Sequence, residues 1–587
     1  MRVSDSQIFG GVLDNLQQIR QKMVDTENQI SSSKKIVQPS DDPTTFGQII
    51  GDKQTLAMIS QRLRNIQFGG QRLSAADTVL GNVSQSLTRI KELAVQLASD
   101  TNTASDRATG ALEVKQILAQ LQQAANTDVG GQNLFAGTAT HGRATGVSIT
   151  PPTTVTSGSN DTLTVSVDGT TSGTITVTAG SYATGAALAS QVQTQINADA
   201  TLKAAGKSVT VTFDTDHLVI ASNSSGGSST VQVTGGSAVG SLGLNGGSVT
   251  NGALPFALRA VTSAGAGNTG GALISQGSVS DSNAATFDDY VIKFSGASTF
   301  DVYDVSKPVS VSVAGANTGG AVASDAGVID SSKVKLDTYT IQFTSASQYS
   351  VIDATTGATL SSGNAYTSGA NIDFDGLRVN LIDGTNGGPQ SGDSFSVSLG
   401  AQKVAASQTY TSGSAITFDG LQMSIKNGTA APAAGDLFRV QTGIQYQGNS
   451  GQQAIEVGDN QTIKTNLPGN QVFSGSAIDL FAAVKGLANA LTGNYQGGIS
   501  QANADADTAT NQVVSAQGEV GALSNRLTAT TSTLTQFQGL VTANLSNKQD
   551  TDVVQAISQL QQQQLALQAT AQVASEMFND SLLQFLK

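Results

Sequence analysis

Residues 9–30 read Phe-Gly-Gly-Val-Leu-Asp-Asn-Leu-Gln-Gln-Ile-Arg-Gln-Lys-Met-Val-Asp-Thr-Glu-Asn-Gln-Ile. Within them Phe9, Val12, Leu16, Ile19, Met23, Thr26 and Ile30 recur at alternating spacings of three and four. That alternation places one narrow apolar seam on a helix, and a narrow seam is stable only against another helix. The far end of the chain repeats the rule with Val553, Ile557, Leu560, Gln564, Leu567, Ala571, Ala574 and Phe578. Both termini therefore read as seamed helices that pack as an assembly shaft, and everything between them loops outward.

The 587 residues are long enough for several domains. There is no cysteine, which excludes disulfide scaffolds, thiolate zinc sites and cysteine nucleophiles. Only His141 and His217 are histidines, too few and too far apart for a histidine metal cluster. No Ser/His/Asp set, phosphate loop or zinc spacing stands out, so the reading is a non-enzyme without a cofactor. The net charge of −13 is carried by residues 141–475 (−9) and 476–587 (−4), while residues 1–140 are balanced. An acidic middle without a basic patch argues against nucleic acid. No run of eighteen apolar residues exists to span a membrane. The opening Met1-Arg2-Val3-Ser4-Asp5 lacks the apolar stretch of a cleaved secretory signal, which alone suggests a cytoplasmic protein.

Along the chain, a first helix is expected from about Val3 to Ser33. Asp42 as N-cap and Pro43 at the first helical position then start a second. That helix runs from Thr44 to Ser99, roughly 80 Å at 1.5 Å per residue. Its inner-core positions include Leu63, Leu87, Ile90 and Leu97. Its apolar spacing slips between Gly70 and Leu80, which predicts a local unwinding or a change of partner. A third helix follows from about Ser105 to Ala125. From 145 to 460 the period becomes two, as in Leu163–Val167 and Val209–Phe213, with one helix near Gly185–Ala198. Two repeats are visible there. Tyr290-Val291-Ile292-Lys293-Phe294 returns as Tyr339-Thr340-Ile341-Gln342-Phe343, and Tyr366–Phe395 returns as Tyr410–Phe438. The helical pattern restarts with Ala477-Ile478-Asp479-Leu480-Phe481 and a helix through Leu491, and long helices are expected over 500–546 and 550–583.

The fold class is thus α+β multidomain: long terminal helices in a coiled-coil or helical-bundle shaft, with inserted all-β, sandwich-like domains. The expected divisions are 1–140, an N-terminal shaft segment; 141–270, an inserted β domain; 271–460, a duplicated β-rich part; and 461–587, a C-terminal shaft segment pairing with the first. Several residues invite sharper readings. Asp41-Asp42 resembles a carboxylate pair, but charge at a helix N-terminus explains it more simply. His217 reads as a strand surface residue rather than a ligand. Asp393 and Asp436 follow glycine in duplicated turns, and turn geometry accounts for them better than calcium.

Several segments resemble the bacterial flagellin superfamily and, within it, the hook-associated members. At the start these are Met1-Arg2-Val3-Ser4, Ser31–Ile36 and Pro39–Pro43, followed by Arg64-Asn65 and Arg89–Gln96. Further along come Leu134-Phe135-Ala136-Gly137-Thr138, Gly521–Leu527 and the closing Ser581-Leu582-Leu583-Gln584-Phe585-Leu586. Residues 161–222 resemble a motif inserted in flagellins. Ser33 departs from the pattern, which often has glycine there. The resemblance implies a structural flagellar subunit that joins the hook, through hook-associated protein 1, to the flagellin filament. It also implies self-assembly in a helical ring or array, an export chaperone, and secretion through the flagellar type III apparatus to an extracellular site, which replaces the cytoplasmic reading. The assembly seams would be Phe9, Val12, Leu16, Ile19, Met23 and Ile30 with Val553, Ile557, Leu560, Leu567 and Phe578. The alternatives are a filament-forming flagellin and a surface adhesin acting through the β domains.

Overall fold

The computed structural model describes residues 5–585 except 130–131, 139–141, 150, 215, 225–228, 245–247, 251–254, 276 and 282–283; at 5, 6, 8, 9, 214, 248–250 and 577–585 it describes backbone only. Two compact units result. The smaller holds residues 1–71, 455–463 and 524–587, and the larger holds 72–454 and 464–523. The helices among the described residues are α1 (Asp5–Ser32), α2 (Pro43–Leu97), α3 (Ala104–Ala125), α4 (Gly185–Ala198), α5 (Ala200–Ala204), α6 (Gly469–Val472), α7 (Leu480–Thr492), α8 (Gln496–Gln549) and α9 (Val553–Phe585).

In the smaller unit α1 lies antiparallel on α9, joined where Lys35 N–H donates to Gln549 O at 2.8 Å and Thr551 N–H to Ser33 O at 3.1 Å. Ser33 sits at φ +57, the left-handed conformation that ends helices and that glycine adopts without cost. The departure from glycine noted in the sequence therefore falls where backbone geometry favours it. Asp42 starts α2 as expected, accepting from Thr44 N–H at 3.0 Å and Thr45 N–H at 3.1 Å. Hydrogen bonds from Thr45, side chain first and then backbone, hold the Asp42 carboxyl below its ordinary range. Asp41 turns the other way and accepts from Val37 and Gln38 N–H. The two carboxylates are thus separate caps. Ile49, Ile59 and Ile66 of α2 are buried in this unit, as are Leu527, Leu534 and Val541 of α8.

In the larger unit the rest of α2, α3, α7 and the start of α8 build a helical core around Leu80, Leu87, Leu118, Leu487 and Val513. The unwinding expected between Gly70 and Leu80 is absent, because α2 stays α-helical throughout. Its partner changes instead. Arg72, almost wholly buried, donates to Gln132 Oε1 at 3.0 Å on the Asp128–Asn133 hairpin. Glycine decides one close approach: a Cβ on Gly110 of α3 would stand 2.2 Å from Leu97 Cδ1.

The first β body spans the described residues from Gly142 to Thr250. One sheet orders Ser248–Thr250, Arg143–Thr145, His217–Ser222 and Val209–Asp214; the other carries Val231–Gly235 beside Thr162–Val167. The expected helix is present as α4, which adds Leu188, Val192 and Ile196 to the core.

The second β body is one module nested inside another. The outer sheet orders Phe256–Ala264, Leu437–Tyr446, Tyr290–Gly296, Thr299–Asp304 and Gln402–Thr409. The inner sheet repeats that order with Val309–Val313, Ser394–Leu399, Thr338–Ser345, Gln348–Asp353 and Thr359–Ala365. Residues 305–401 thus enter the outer module at the point where the inner one makes its turn 354–358. Strand Phe256–Ala264 pairs along its whole length with Leu437–Tyr446. The boundary expected at 270 therefore lies before 256, since that strand belongs to the second body. Equivalent edge strands carry equivalent irregularities, with Gly363 at φ +67 and Ser407 at φ +50. The two turn aspartates are equivalent as well. Asp393 accepts from Gln390, Thr318 and Gly319 N–H, and Asp436 from Ala433, Thr269 and Gly270 N–H. Burial pushes the Asp393 carboxyl up, but its backbone donors outweigh that and hold it below the ordinary range.

Candidate assembly surface

Along α1, Val12, Leu16, Ile19, Met23 and Ile30 are half-buried and Thr26 is buried, so the seam faces α9. Thr26 is accommodated because its hydroxyl donates to Lys22 O at 2.8 Å within its own helix. On α9 the seam is phased differently from the expectation. Leu560, Leu567 and Ala574 are half-buried, whereas Val553, Ile557, Gln564 and Ala571 are exposed. The inward row is completed by Ala556, Gln563 and Thr570, again at spacings of three and four. Small and polar residues line this seam because α1 supplies its bulk. Phe9 and Phe578 have side chains outside the described residues.

Of the inner-core positions, Leu87, Ile90 and Leu97 are buried in the larger unit, and Leu63 is half-buried in the smaller. His217 pairs with its neighbour Asp216 at 2.8 Å and is brought to no cluster of ligating groups. Among the described residues no group of three or more His, Asp or Glu could hold a metal ion, and no helix is long and apolar enough to cross a membrane.

The smaller unit holds about a quarter of the chain, yet among the described residues thirteen of the twenty-three exposed large apolar side chains fall in it. Those on α9 are Val553, Val554, Ile557, Leu565 and Val573, opposite or flanking the row that meets α1. Phe537 and Leu540 are exposed on α8, and Met58 and Phe68 on α2.

A joint in the larger unit went unread in the sequence. Asp325, on the inner β module, accepts from Gln496 N–H at 3.0 Å and Gly497 N–H at 2.7 Å, capping α8 from outside. Beside it Gly327 abuts the Tyr495 ring, where a Cβ would come within 2.3 Å of Cγ. Arg107 of α3 donates to Asn494 Oδ1 at 2.7 Å at the same elbow. The outer module is tied down by Asp289 to Lys485 at 2.5 Å and Asp288 to Lys115 at 2.6 Å. Nearby Asp304 is pushed above the ordinary carboxylate range by burial, although Lys307 lies 2.7 Å away. The partners of Asp288, Asp289 and Asp325 come from 170 or more residues away, a distance over which no local pattern speaks.

The helical ends carry a known signature. The bacterial flagellin N-terminal helical region matches residues 10–140, and the bacterial flagellin C-terminal helical region matches residues 504–586. Both ends of the chain are thus similar to the helical ends of bacterial flagellins. Over 138 residues the chain is 29% identical to flagellar hook-associated protein 3 of Salmonella typhimurium, covering 23% of this chain and 44% of that protein. Over 110 residues it is 34% identical to flagellar hook-associated protein 3 of Escherichia coli, covering 19% and 35%. The chain thus spans less than half the length of these curated relatives. Among solved structures it is similar to FlgL of Xanthomonas campestris (15% identity, TM-score 0.28, covering 84% of this chain and 99% of that one). It is also similar to the flagellar junction protein FlgL of Legionella pneumophila (17% identity, TM-score 0.27, covering 86% and 99%). Superposition at that level is too loose to carry an argument about how the parts are arranged.

Proposed function

We propose that this chain is a structural, non-enzymatic subunit of the bacterial flagellum that joins the hook to the filament, taking hook-associated protein 1 on one side and flagellin on the other. The observation that carries the assembly part is the concentration of exposed apolar side chains in the unit built from both chain ends. The junction part is supported by the stretches shared with hook-associated protein 3 of two bacteria. In this reading the subunits add to one another and to their neighbours through the terminal helices, and the β bodies are carried by the larger unit's helices. A heterologous contact of that kind repeats as an open or ring-like array. Export would proceed through the flagellar type III apparatus with a dedicated chaperone.

Immunogold labelling of isolated flagella tests it. One band at the hook–filament boundary is expected, and a strain lacking the chain should complete its hooks and shed flagellin into the medium. Label along the whole filament, as for a filament subunit, or full-length filaments grown without the chain, would overturn it.

A further inference from the structure

The duplicated β modules build the same corner twice and fill it differently. In the inner module the Tyr366 hydroxyl donates to Asp383 Oδ1 at 2.9 Å, and Asp383 N–H donates to Ser368 Oγ at 2.8 Å. In the outer module the Tyr410 hydroxyl donates to Asn427 Oδ1 at 2.7 Å, and Asn427 N–H donates to Ser412 Oγ at 2.9 Å. Each tyrosine ring meets a phenylalanine edge-on, Phe343 at 5.1 Å and Phe294 at 5.2 Å. Glycine comes next in both, and packing demands it. A Cβ on Gly384 would stand 2.2 Å from Gly320 O, and one on Gly428 would stand 2.2 Å from Gly271 O. One corner therefore reads Asp383-Gly384 and its duplicate Asn427-Gly428.

An asparagine followed by glycine has a side-chain amide open to attack from its own backbone, because no Cβ shields the next nitrogen. Two such steps lie among the described residues, Asn386-Gly387 and Asn427-Gly428, and both are exposed. They differ in the attacking nitrogen. Gly387 N–H is spent on Gly384 O at 3.0 Å, whereas Gly428 N–H has no protein acceptor among the described residues. At Asn427 the electrophile is also prepared. The Tyr410 hydroxyl sits where negative charge builds on Oδ1 as Cγ is attacked, and a donor fixed there lowers the barrier. Its other contact, Ile425 O, is longer at 3.4 Å.

We infer that Asn427 is a self-modifying position, which turns acidic as the protein ages without disturbing the outer module. Gly428 N gives up its proton to solvent and bonds to Asn427 Cγ; the Cγ–Nδ2 bond breaks and ammonia leaves. Water then opens the cyclic imide at either carbonyl, giving aspartate or isoaspartate. Water is the only co-reactant. The aspartate product has its precedent in Asp383. There burial, and then the bond to the carboxylate, push the Tyr366 hydroxyl up to about 12 and keep it a donor. The outer module thereby acquires with time the charge that the inner one carries from synthesis.

The test uses the purified full chain, held in mildly alkaline buffer, sampled over days, digested at low pH and read by mass spectrometry. Asn427 should convert about tenfold faster than Asn386, and faster still as pH rises, because the attacking nitrogen must lose its proton. Tyr410→Phe keeps the ring and should slow Asn427 about tenfold while Asn386 is unchanged, with thermal unfolding as the check that the fold is intact. Asn427→Asp should leave the thermal midpoint of the β modules where it was. Equal rates at the two asparagines, or Asn427 kept as the amide while Asn386 converts, would overturn the inference. Undiminished conversion in a folded Tyr410→Phe would overturn it too. So would a lowered midpoint in Asn427→Asp, since the product would then not fit the corner that Asp383 fits.

Discussion

Removing the carboxylate of Asp325 tests whether the inner β module caps α8. The strand that carries it, Val322–Val328, shifts register between Ala323 and Asp325, and Asp325 bonds to Gln496 and Gly497 N–H at 3.0 and 2.7 Å. The residue before the helix is Tyr495, whose side chain is no capping group, so these amides depend on a residue 171 positions away. Loss of an N-cap acceptor costs about 0.5–2 kcal/mol, and loss of a negative charge at a helix N-terminus about 0.3–1 kcal/mol. Both describe one contact, so Asp325→Ala should cost about 1–2 kcal/mol of local stability. At 1.4 kcal/mol per tenfold, amide exchange at Gln496 and Gly497 should speed up about 5- to 30-fold, while amides deep in α2 near Leu87 stay as they were. Asp325→Asn keeps one acceptor oxygen but loses the charge and one of the two bonds, since Gln496 and Gly497 N–H use different carboxylate oxygens, and it should protect one amide at most. Unchanged exchange in Asp325→Ala would refute the capping argument.

Leu87→Ala should lower stability by about 2–5 kcal/mol in thermal or denaturant unfolding, whereas Val95→Ala, on the exposed side of the same helix, should stay within about 0.5 kcal/mol. Ser33→Gly and Ser407→Gly should each add about 0.5–1 kcal/mol, because both residues hold left-handed backbone that glycine adopts freely; a loss of stability would show that their side chains matter more. A small folded domain inserted between Thr356 and Gly357 should leave the thermal midpoint of the β modules unchanged, since the outer module already carries residues 305–401 at the equivalent point. Collapse of that midpoint would count against the equivalence.

What the sequence made legible was periodic or local. The 3–4 spacing placed the terminal helices, Asp42-Pro43 marked the start of α2, and alternation placed the strands. Both repeats were visible, but as a duplication. Their order along the chain, outer half, inner repeat, outer half, already contains the nesting: Tyr290 precedes Tyr339, and Phe395 precedes Phe438. Recognising it required knowing that Phe256–Ala264 pairs with Leu437–Tyr446, a long-range fact that no local window holds. The slip near Gly70–Leu80 was legible as a change of pattern, and its cause was an arginine reaching a distant hairpin rather than a break in the helix. Asp325, Asp288 and Asp289 looked like ordinary acidic residues because their partners lie far along the chain.

On α9 the row that meets α1 shares only Leu560, Leu567 and Ala574 with the expected assembly seam, and the reason lies in the composition of the helix. Seam reading assumes that apolar residues mark the side facing a partner and that a helix has one partner. On α1 the assumption serves better, because Asp14, Arg20, Lys22, Asp25 and Glu27 mark the outward side, although Leu13 and Val24 are exposed there as well. On α9 it fails, because no charge between Val553 and Ser575 distinguishes one side from the other. The row against α1 is built from Ala556, Leu560, Gln563, Leu567, Thr570 and Ala574, while Val554, Ile557, Leu565 and Val573 stand in solvent. A helix that leaves four large aliphatic residues outside while Ala556, Thr570 and Ala574 face its neighbour departs from the usual order of burial. Burial is restored if the solvent side meets a second helix, since each fully covered aliphatic side chain is worth about 1.5–3 kcal/mol over its exposed state. The expected seam drew residues from both sides of α9: Leu560, Leu567 and Ala574 from the row against α1, and Val553 and Ile557 from the solvent side.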